Sequence, residues 1–356
     1  MRHTLCFDDV LLEPQYSEIE SRKSIDLSVK GLFSDTLTCP IVGSPMDTVM
    51  GSSSAATLAL EGGFGIIHRY CSIEEAKNIY RETKIKLFEH VLGTRGKDSN
   101  VMMAVGATGD FLERTTELYN DGCREFCIDV AHGHHLHVKN ALTALRNKFG
   151  HHIHVMTGNV ATLSAFNDLA DWGSDSIRVG VGGGSLCTTR IMTGHGIPTL
   201  HSVMDCARSK RKALIVADGG IRNSGDAVKA LAAGAHLVML GSVLAGHDES
   251  PGDLVDVNGD KITEQTHPKM YRKNFRGMAS REAQLNWRGN VSVVEGESTL
   301  VPYRGSLNNT LKDFLDGVKS GLSYSGARNI EELHRKARFV TISSNGTQEN
   351  GAHRKR

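Results

Sequence analysis

A cysteine at the end of a glycine loop has the clearest chemical potential in this chain. Cys187 follows the segment 182–186 (GGGSL) and precedes Thr188 and Thr189. Three consecutive glycines leave backbone N–H groups free to approach a ligand and let the chain adopt turns that other residues avoid. Such a loop can present a thiolate as a nucleophile. Taken alone, the pattern suits a buried, inert thiol equally well.

Two further glycine-containing segments indicate a phosphate site. Asp218, Gly219 and Gly220 end one apolar run, and Gly241 and Ser242 end the next. Backbone N–H groups in such turns bind anions, often together with a helix N-terminus. The carboxylate of Asp218 suits instead the paired hydroxyls of a neighbouring sugar. Each glycine alone could be an ordinary tight turn, but the set favours a nucleotide.

Eight short apolar runs alternate with stretches of helical spacing, at intervals that match strand-plus-helix units. Continuous apolar runs are typical of parallel strands covered on both faces. The pattern predicts an α/β fold, a (β/α)8 barrel whose active site collects in the loops after the strands. An open doubly wound sheet is the alternative, but its dinucleotide fingerprint is missing. The expected strands lie within 40–46, 64–69, 101–107, 125–131, 153–160, 176–182, 214–220 and 237–243.

We expect a single domain. The first forty residues carry little periodicity and predict an irregular arm, and residues 273–304 lose the barrel rhythm and predict a flap. The barrel domain, with arm and flap, then spans 1–343. A polar, basic tail follows at 344–356, and its last five residues are expected to be disordered.

The composition excludes several classes of function. The 356 residues carry a formal net charge of +1, without the basic excess that nucleic-acid or membrane-surface binding requires. No apolar run approaches the roughly 18–20 residues that span a bilayer. Since no signal-peptide core is present either, a cytoplasmic protein is expected. Seven scattered cysteines indicate reduced thiols, and the histidines at 132–137 lack the spacing of a zinc site.

Several motifs, in the correct order, resemble the inosine monophosphate dehydrogenase / guanosine monophosphate reductase family. The resemblance runs over nearly the whole chain and implies the same barrel that the apolar runs predict. The motifs are 7–12 (FDDVLL), 45–49 (PMDTV), 62–68 (GGFGIIH), 158–162 (GNVAT), the Cys187 loop, 217–221 (ADGGI), 277–280 (GMAS) and 295–296 (EG).

The resemblance implies covalent catalysis on a purine ring. It makes Cys187 the nucleophile that attacks C2 of the base, with Thr189 and Glu295 as the pair that handles protons. The implied substrate contacts are Ser44, Met46, Ser185, Asp218, Gly219, Gly220, Gly241, Ser242, Met278 and Gly296. The implied groups on the nicotinamide side are Asp129, Asn159 and Arg178.

The same resemblance implies a monovalent-cation site and an assembly. Gly182, Gly184 and the carbonyl of Cys187 resemble the site that holds K+ in the family. Gly183 stands where the family usually has proline, which weakens the expectation of potassium dependence. The family also implies a homotetramer around a fourfold axis.

The family splits into two reactions. The dehydrogenase oxidises IMP with NAD and then hydrolyses a covalent intermediate, using an Arg-Tyr pair on a long flap. The reductase converts GMP to IMP and ammonia with NADPH and needs no hydrolysis. Here the segment between Ser280 and Glu295 is short and lacks an Arg-Tyr pair, and Phe275 stands where dehydrogenases usually have a phosphate-binding tyrosine. Residues 80–100 also leave no room for CBS regulatory modules. These features favour GMP reductase.

Other features keep alternatives open. Residues 349–353 resemble the C-terminal segment of the dehydrogenases, the N-terminal third resembles bacterial dehydrogenases, and dehydrogenases without CBS modules exist. An IMP dehydrogenase is therefore the main alternative. A barrel that binds purine nucleotides without turnover is a third, and it predicts that Cys187 is dispensable. For the 2′-phosphate of NADPH the flap offers Arg276, Arg281 and Arg288, although an exposed arginine is more often simply solvated.

Overall fold

The computed structural model describes residues 3–31, 37–90, 101–262 and 270–350. Apart from β1 (Val10–Leu12) in the N-terminal arm, the first nine strands are β2 (Ile41–Gly43), β3 (Phe64–Ile67), β4 (Val101–Val105), β5 (Glu125–Asp129), β6 (His154–Val160), β7 (Ser176–Val179), β8 (Leu214–Asp218) and β9 (Leu237–Leu240). Strands β2 to β9 pair in parallel in sequence order, and β9 closes on β2. The predicted (β/α)8 barrel is confirmed.

The barrel strands are buried on both faces, which explains their continuous apolar runs. Two of them, β5 and β8, end on half-buried aspartates, Asp129 and Asp218. Seven of the predicted runs extend two or three residues past the observed strand. The chain has already turned into the loop there, as at Gly180, where φ is +146°, and Gly219, where φ is +96°.

Helices surround the barrel and begin at polar caps. Thr162 and Asn223 each accept a hydrogen bond from a backbone N–H of the first turn that follows. Phe166 and Leu169 show how the inner face of such a helix is buried against the strands. The helices outside the flap and tail are α1 (Ser52–Leu60), α2 (Ile73–His90), α3 (Phe111–Asn120), α4 (Leu136–Phe149), α5 (Leu163–Asp171), α6 (Thr189–Thr193), α7 (Thr199–Cys206), α8 (Ser224–Ala232), α10 (Leu307–Tyr324) and α11 (Ile330–Lys336).

The expected flap is a two-stranded ribbon with a helix in its connection. Strand β10 (Arg272–Arg276) pairs antiparallel with β11 (Ser298–Pro302). Helix α9 (Arg281–Arg288) lies between them and begins at Ser280, whose side chain accepts from the N–H of Ala283. Because both ends of the segment are paired, the residues between α9 and β11 return to the barrel mouth.

The two ends of the chain pack together. Strand β1 pairs antiparallel with β12 (Phe339–Thr341), so the arm that the sequence predicts to be irregular contains a strand. Part of the expected tail at 344–356 forms α12 (Ser344–Glu349). The Thr347 hydroxyl donates to the carbonyl of Asp8 at 3.1 Å. The last five residues, predicted to be disordered, lie outside the described residues. None of the helices in the described ranges is long and apolar enough to cross a membrane.

Candidate active site

A cavity of about 700 Å³ opens at the mouth of the barrel, where the loops after the strands meet the flap and the N-terminal arm. Every site residue that the sequence predicts lines this cavity. These residues are Ser44, Met46, Asp129, Asn159, Arg178, Gly182, Gly184, Ser185, Cys187, Thr189, Asp218, Gly219, Gly220, Gly241, Ser242, Met278, Glu295 and Gly296.

Three side chains from two segments form a hydrogen-bonded chain at the centre of the cavity. The thiol of Cys187 donates to Thr189 Oγ1 at 3.1 Å. The Thr189 hydroxyl in turn donates to Glu295 Oε2 at 2.7 Å. The arrangement gives a proton a route from the thiol to a carboxylate, which is how a cysteine becomes an activated nucleophile.

Backbone pairing between the flap and the Cys187 loop brings Glu295 to this site. The N–H of Thr188 donates to the carbonyl of Glu295 at 3.0 Å, and the N–H of Glu297 donates to the carbonyl of Leu186 at 3.0 Å. Cys187 and Gly296 form the bridge between these two bonds. The distance from Cys187 to Glu295 along the chain is large, so local sequence pattern could not have predicted this pairing.

Glycines let the Cys187 loop pass close to the neighbouring strand. A Cβ at Gly180 would lie 1.9 Å from the carbonyl oxygen of Asp218, and φ there is +146°. A Cβ at Gly183 would lie 2.7 Å from Thr199 Oγ1. The loop can take this path only because side chains are missing at these positions.

Acidic and basic side chains link the end of β8 to the end of β5 across the cavity. Asp218 Oδ2 accepts from Asn159 Nδ2 at 2.7 Å and from a guanidinium nitrogen of Arg178 at 3.0 Å. A second guanidinium nitrogen of Arg178 donates to Asp129 at 2.5 Å. Burial opposes the charge of Arg178, but the carboxylates of Asp218 and Asp129 outweigh it and raise the pKa of Arg178 well above its usual value.

Burial separates Cys187 from most other thiols. Cys187 and Cys6 are half-buried, whereas the other five cysteines are buried. Burial raises the pKa to about 12 at each of Cys39, Cys123, Cys127 and Cys206. These four thiols are therefore unreactive near neutral pH. Of the two half-buried thiols, both of which line the cavity, Cys187 is the one that donates to a hydroxyl, that of Thr189.

Comparison with known proteins now identifies the family. A model described as "IMP dehydrogenase / GMP reductase domain" matches residues 4–353. The chain belongs to this family. As the sequence motifs predict, the match runs through the arm, the barrel and the flap. Both enzymes of the IMP dehydrogenase / GMP reductase family are oxidoreductases.

Relatives of both kinds are similar to this family member. GMP reductase 1 of Mus musculus is 35% identical over 348 residues and covers 95% of each chain. The inosine-5'-monophosphate dehydrogenase of Nitrosopumilus maritimus is 33% identical over 478 residues and covers 98% of each. A crystal structure of a GMP reductase variant from Trypanosoma brucei, in complex with guanosine 5'-monophosphate, matches with a TM-score of 0.89 at 28% identity, over 99% of this chain and 98% of that one.

Two residues of the N-terminal arm, Phe7 and Asp8, also line the cavity. From the sequence they were identified only as part of the motif 7–12, not as site residues. Phe7 is buried and approaches the turn at Gly220, where a Cβ would lie 3.7 Å from its ring. Asp8 forms an ion pair with Arg222, which also pairs with Asp226 at 2.9 Å. The motif 7–12 (FDDVLL) includes Phe7 and Asp8, but the motif alone does not show where they lie in the fold.

An aromatic pair at the Tyr70 end of the cavity was not predicted from the sequence. Tyr70 follows β3 and stacks on Trp287 of α9, with ring centroids 5.9 Å apart and an angle of 17° between the planes. Arg69 Nε donates to the carbonyl of Asp129 at 3.1 Å. Their position shortly after the barrel strand β3, where site residues collect in this fold, was the signal that could have identified Arg69 and Tyr70.

Proposed function

We propose that this family member is a GMP reductase, which converts GMP to IMP and ammonia with a reduced nicotinamide cofactor. The observation that carries the proposal is the flap. It returns from the end of α9 to Glu295 through the six residues 289–294 and contains no Arg-Tyr pair. A reductase needs no group to activate a hydrolytic water, so this short connection suffices for it.

In this proposal the nucleotide lies across the loops after the last two barrel strands. The phosphate binds the backbone of Gly220, Gly241 and Ser242, and the ribose hydroxyls bind Asp218. Met278 is the proposed contact for the base, because it lines the cavity; its sulfur accepts from the N–H of Asp47 at 3.4 Å, next to the cavity residue Met46. The further contacts proposed are Ser44, Met46, Ser185, Gly219 and Gly296, all of which line the cavity.

The chemistry proposed for the chain is addition and elimination at C2. The sulfur of Cys187 bonds to C2 of GMP while its proton passes through Thr189 to Glu295, along the contacts of 3.1 and 2.7 Å. Glu295 and Thr189 then return a proton to the amino group, because ammonia leaves far more easily than its anion. NADPH, when bound, supplies the hydride to C2. The C2–sulfur bond then breaks, which releases IMP and the Cys187 thiolate.

Members of this family use nicotinamide dinucleotides, and the cavity has a side that fits one. The proposed contacts are Asp129, Asn159 and Arg178, which join in one hydrogen-bonded network beside Asp218. We propose NADPH rather than NAD as the cofactor. The cavity continues past Asp129 to Tyr70, which leaves a groove for the rest of a dinucleotide.

We also propose a monovalent cation and a homotetramer. The carbonyl oxygens of the Gly182–Gly184 turn and of Cys187 would hold K+, because hard cations prefer oxygen ligands. Turnover measured in potassium and in choline buffers tests the cation. Light scattering of the purified protein tests the tetramer.

IMP dehydrogenase remains the second candidate. The observation that favours it is the similarity to named dehydrogenases, such as that of Nitrosopumilus maritimus at 33% identity. In that case another group must activate water, and Arg288 is the flap arginine that lines the cavity.

One pair of assays decides between the two. The protein is mixed with GMP and NADPH, and the loss of reduced nicotinamide is followed together with the release of ammonia. A parallel sample contains IMP, NAD+ and potassium. Oxidation of NADPH with equimolar ammonia establishes the reductase. NADH formed from IMP, with no reaction of GMP, establishes the dehydrogenase and overturns the proposal.

A further inference from the structure

Among the described residues, no carboxylate forms an ion pair with Arg288, which lies at the Tyr70 end of the cavity. In the described part of the chain five arginines line the cavity, and three of them, Arg69, Arg178 and Arg222, form ion pairs. Arg190 donates to a backbone carbonyl at 3.1 Å beside the Cys187 loop. Arg288 has no carboxylate within ion-pair distance among the described residues. An unneutralised guanidinium at a cavity wall suits an anionic ligand group.

Aromatic stacking fixes the position of Arg288. Its neighbour Trp287 stacks on Tyr70 and lies 5.9 Å from the guanidinium carbon of Arg114 on its other side. Arg114 is itself only 1% exposed and donates to the carbonyl of Cys71 at 2.7 Å. The guanidinium of Arg288 lies 5.9 Å from the centre of the Tyr70 ring. The end of α9 is thus anchored to the barrel, and the exposed side chain of Arg288 lines the cavity beside Tyr70.

A continuous set of contacts places Arg288 on the cofactor side rather than the substrate side. From Asp218 the network passes through Arg178 to Asp129, and the backbone carbonyl of Asp129 accepts from Arg69. The Arg69 guanidinium then lies 5.1 Å from the centre of the Tyr70 ring. A dinucleotide whose reactive end lies beside Asp129 therefore extends toward Tyr70 and Arg288.

The structure also distinguishes the three flap arginines from one another. Arg276 is held by Asp47 and, at 2.7 Å, by Glu282, so its charge is already paired. Arg281 is exposed at the start of α9 and lies outside the cavity lining. Arg288 is exposed as well, but among the three flap arginines it is the one that lines the cavity and forms no ion pair with a described residue.

We propose that Arg288 binds the 2′-phosphate of NADPH and sets the preference of this enzyme for NADPH over NADH. The inference rests on the proposed function, because it assigns a residue to the cofactor of that reaction. A guanidinium and a phosphate form paired, charge-assisted hydrogen bonds, which a ribose hydroxyl cannot match.

The kinetic test compares Arg288→Gln with Arg281→Gln, a matched change at the other end of the same helix. With GMP as substrate, Arg288→Gln lowers kcat/KM for NADPH by roughly 10- to 100-fold and changes that for NADH by less than about threefold. Arg288→Lys recovers part of the loss. The Arg281→Gln protein keeps the wild-type ratio. An unchanged NADPH-to-NADH ratio in Arg288→Gln, or a wild type without preference for NADPH, overturns the inference.

Calorimetry provides a readout that does not depend on turnover. Adenosine 2′,5′-bisphosphate carries the distinguishing phosphate and adenosine 5′-monophosphate lacks it. Wild-type protein binds the bisphosphate more tightly, and Arg288→Gln removes that difference. If GMP is not reduced at all, the proposed function fails, while the bisphosphate titration still decides the role of Arg288. Equal binding of the bisphosphate by both proteins rejects the inference even if the reductase activity is present.

Discussion

At the scale of single residues, the kind of hydrogen-bond partner distinguishes Cys187 from the other half-buried thiol. Cys6 also lines the cavity, but burial and the adjacent Asp9 raise the pKa of its thiol. Cys187 instead donates to Thr189, which leads to Glu295. In the proposed covalent mechanism, the sulfur of Cys187 forms the bond to C2.

Replacement of the sulfur tests this assignment. Cys187→Ala is expected to lower kcat by more than about a thousandfold, because the substitution removes the sulfur that is proposed to bond to C2. The dissociation constant for GMP, measured by calorimetry, should change by less than about threefold, since phosphate and ribose contacts remain. Cys6→Ala is the control and should keep turnover within about twofold. Substantial turnover by Cys187→Ala would rule out the covalent mechanism.

Glu295 should affect one half-reaction far more than the other. Glu295→Gln removes the proton acceptor but keeps a hydrogen-bonding group beside Thr189. We expect ammonia release from GMP to slow by roughly 100-fold or more. Hydride transfer, followed as NADPH formed from IMP and NADP+ in a single turnover, should slow much less. Equal slowing of both steps would show that Glu295 has no special part in deamination.

At the scale of elements, the site depends on loops that only glycine allows. The end of β7 passes the end of β8 so closely that Gly180 leaves no space for a side chain. The loop beyond it presents Cys187 opposite the flap. The position of the Cys187 thiol therefore depends on how closely the backbone packs at the ends of β7 and β8.

A methyl group at Gly180 should destabilise the folded protein. Gly180→Ala combines a φ of +146° with a Cβ 1.9 Å from a backbone oxygen. We expect a loss of about 2 to 4 kcal/mol in the free energy of unfolding, measured with urea. Gly184→Ala is the matched control, because its Cβ meets only the Cys187 Cβ at 3.4 Å. Similar losses in the two variants would contradict the packing described here.

The same elements show what a sequence can and cannot predict. The barrel strands and the Cys187, Asp218 and Gly241 loops were predictable, because burial on both faces leaves a local apolar pattern and a turn leaves a glycine. The contacts of Phe7 with Gly220 and of Tyr70 with Trp287 were not, since they join residues more than two hundred positions apart. Periodicity reports only on neighbours within one element.

At the scale of the whole molecule, buried histidines make the fold sensitive to acid. Burial lowers the pKa of His154 from 6.5 to about 4, and its ring bonds Ser176 at 2.9 Å. Burial likewise lowers the pKa of His236 to about 4. In the unfolded chain these rings take up a proton at higher pH than in the folded one. Stability is therefore lost as the pH falls from about 6.5 toward 4.

Removing one of these rings should reduce the acid sensitivity. Between pH 7 and pH 5, His154→Gln should lose about 2 kcal/mol less unfolding free energy than the wild type does. Urea titrations at the two pH values measure this difference. The exposed His151→Gln serves as the control and should behave as the wild type. An identical pH dependence in His154→Gln would exclude His154 as a source.

The pairing of β1 with β12 has a consequence for how the protein is made. The arm residues Phe7 and Asp8 leave the ribosome long before Thr341, which pairs with Val10, and Thr347, which donates to Asp8. The eight barrel strands can therefore close during translation while the Gly220 end of the cavity, where Phe7 packs, still lacks part of its support. This part of the cavity becomes complete only after β12 and α12 have been synthesised.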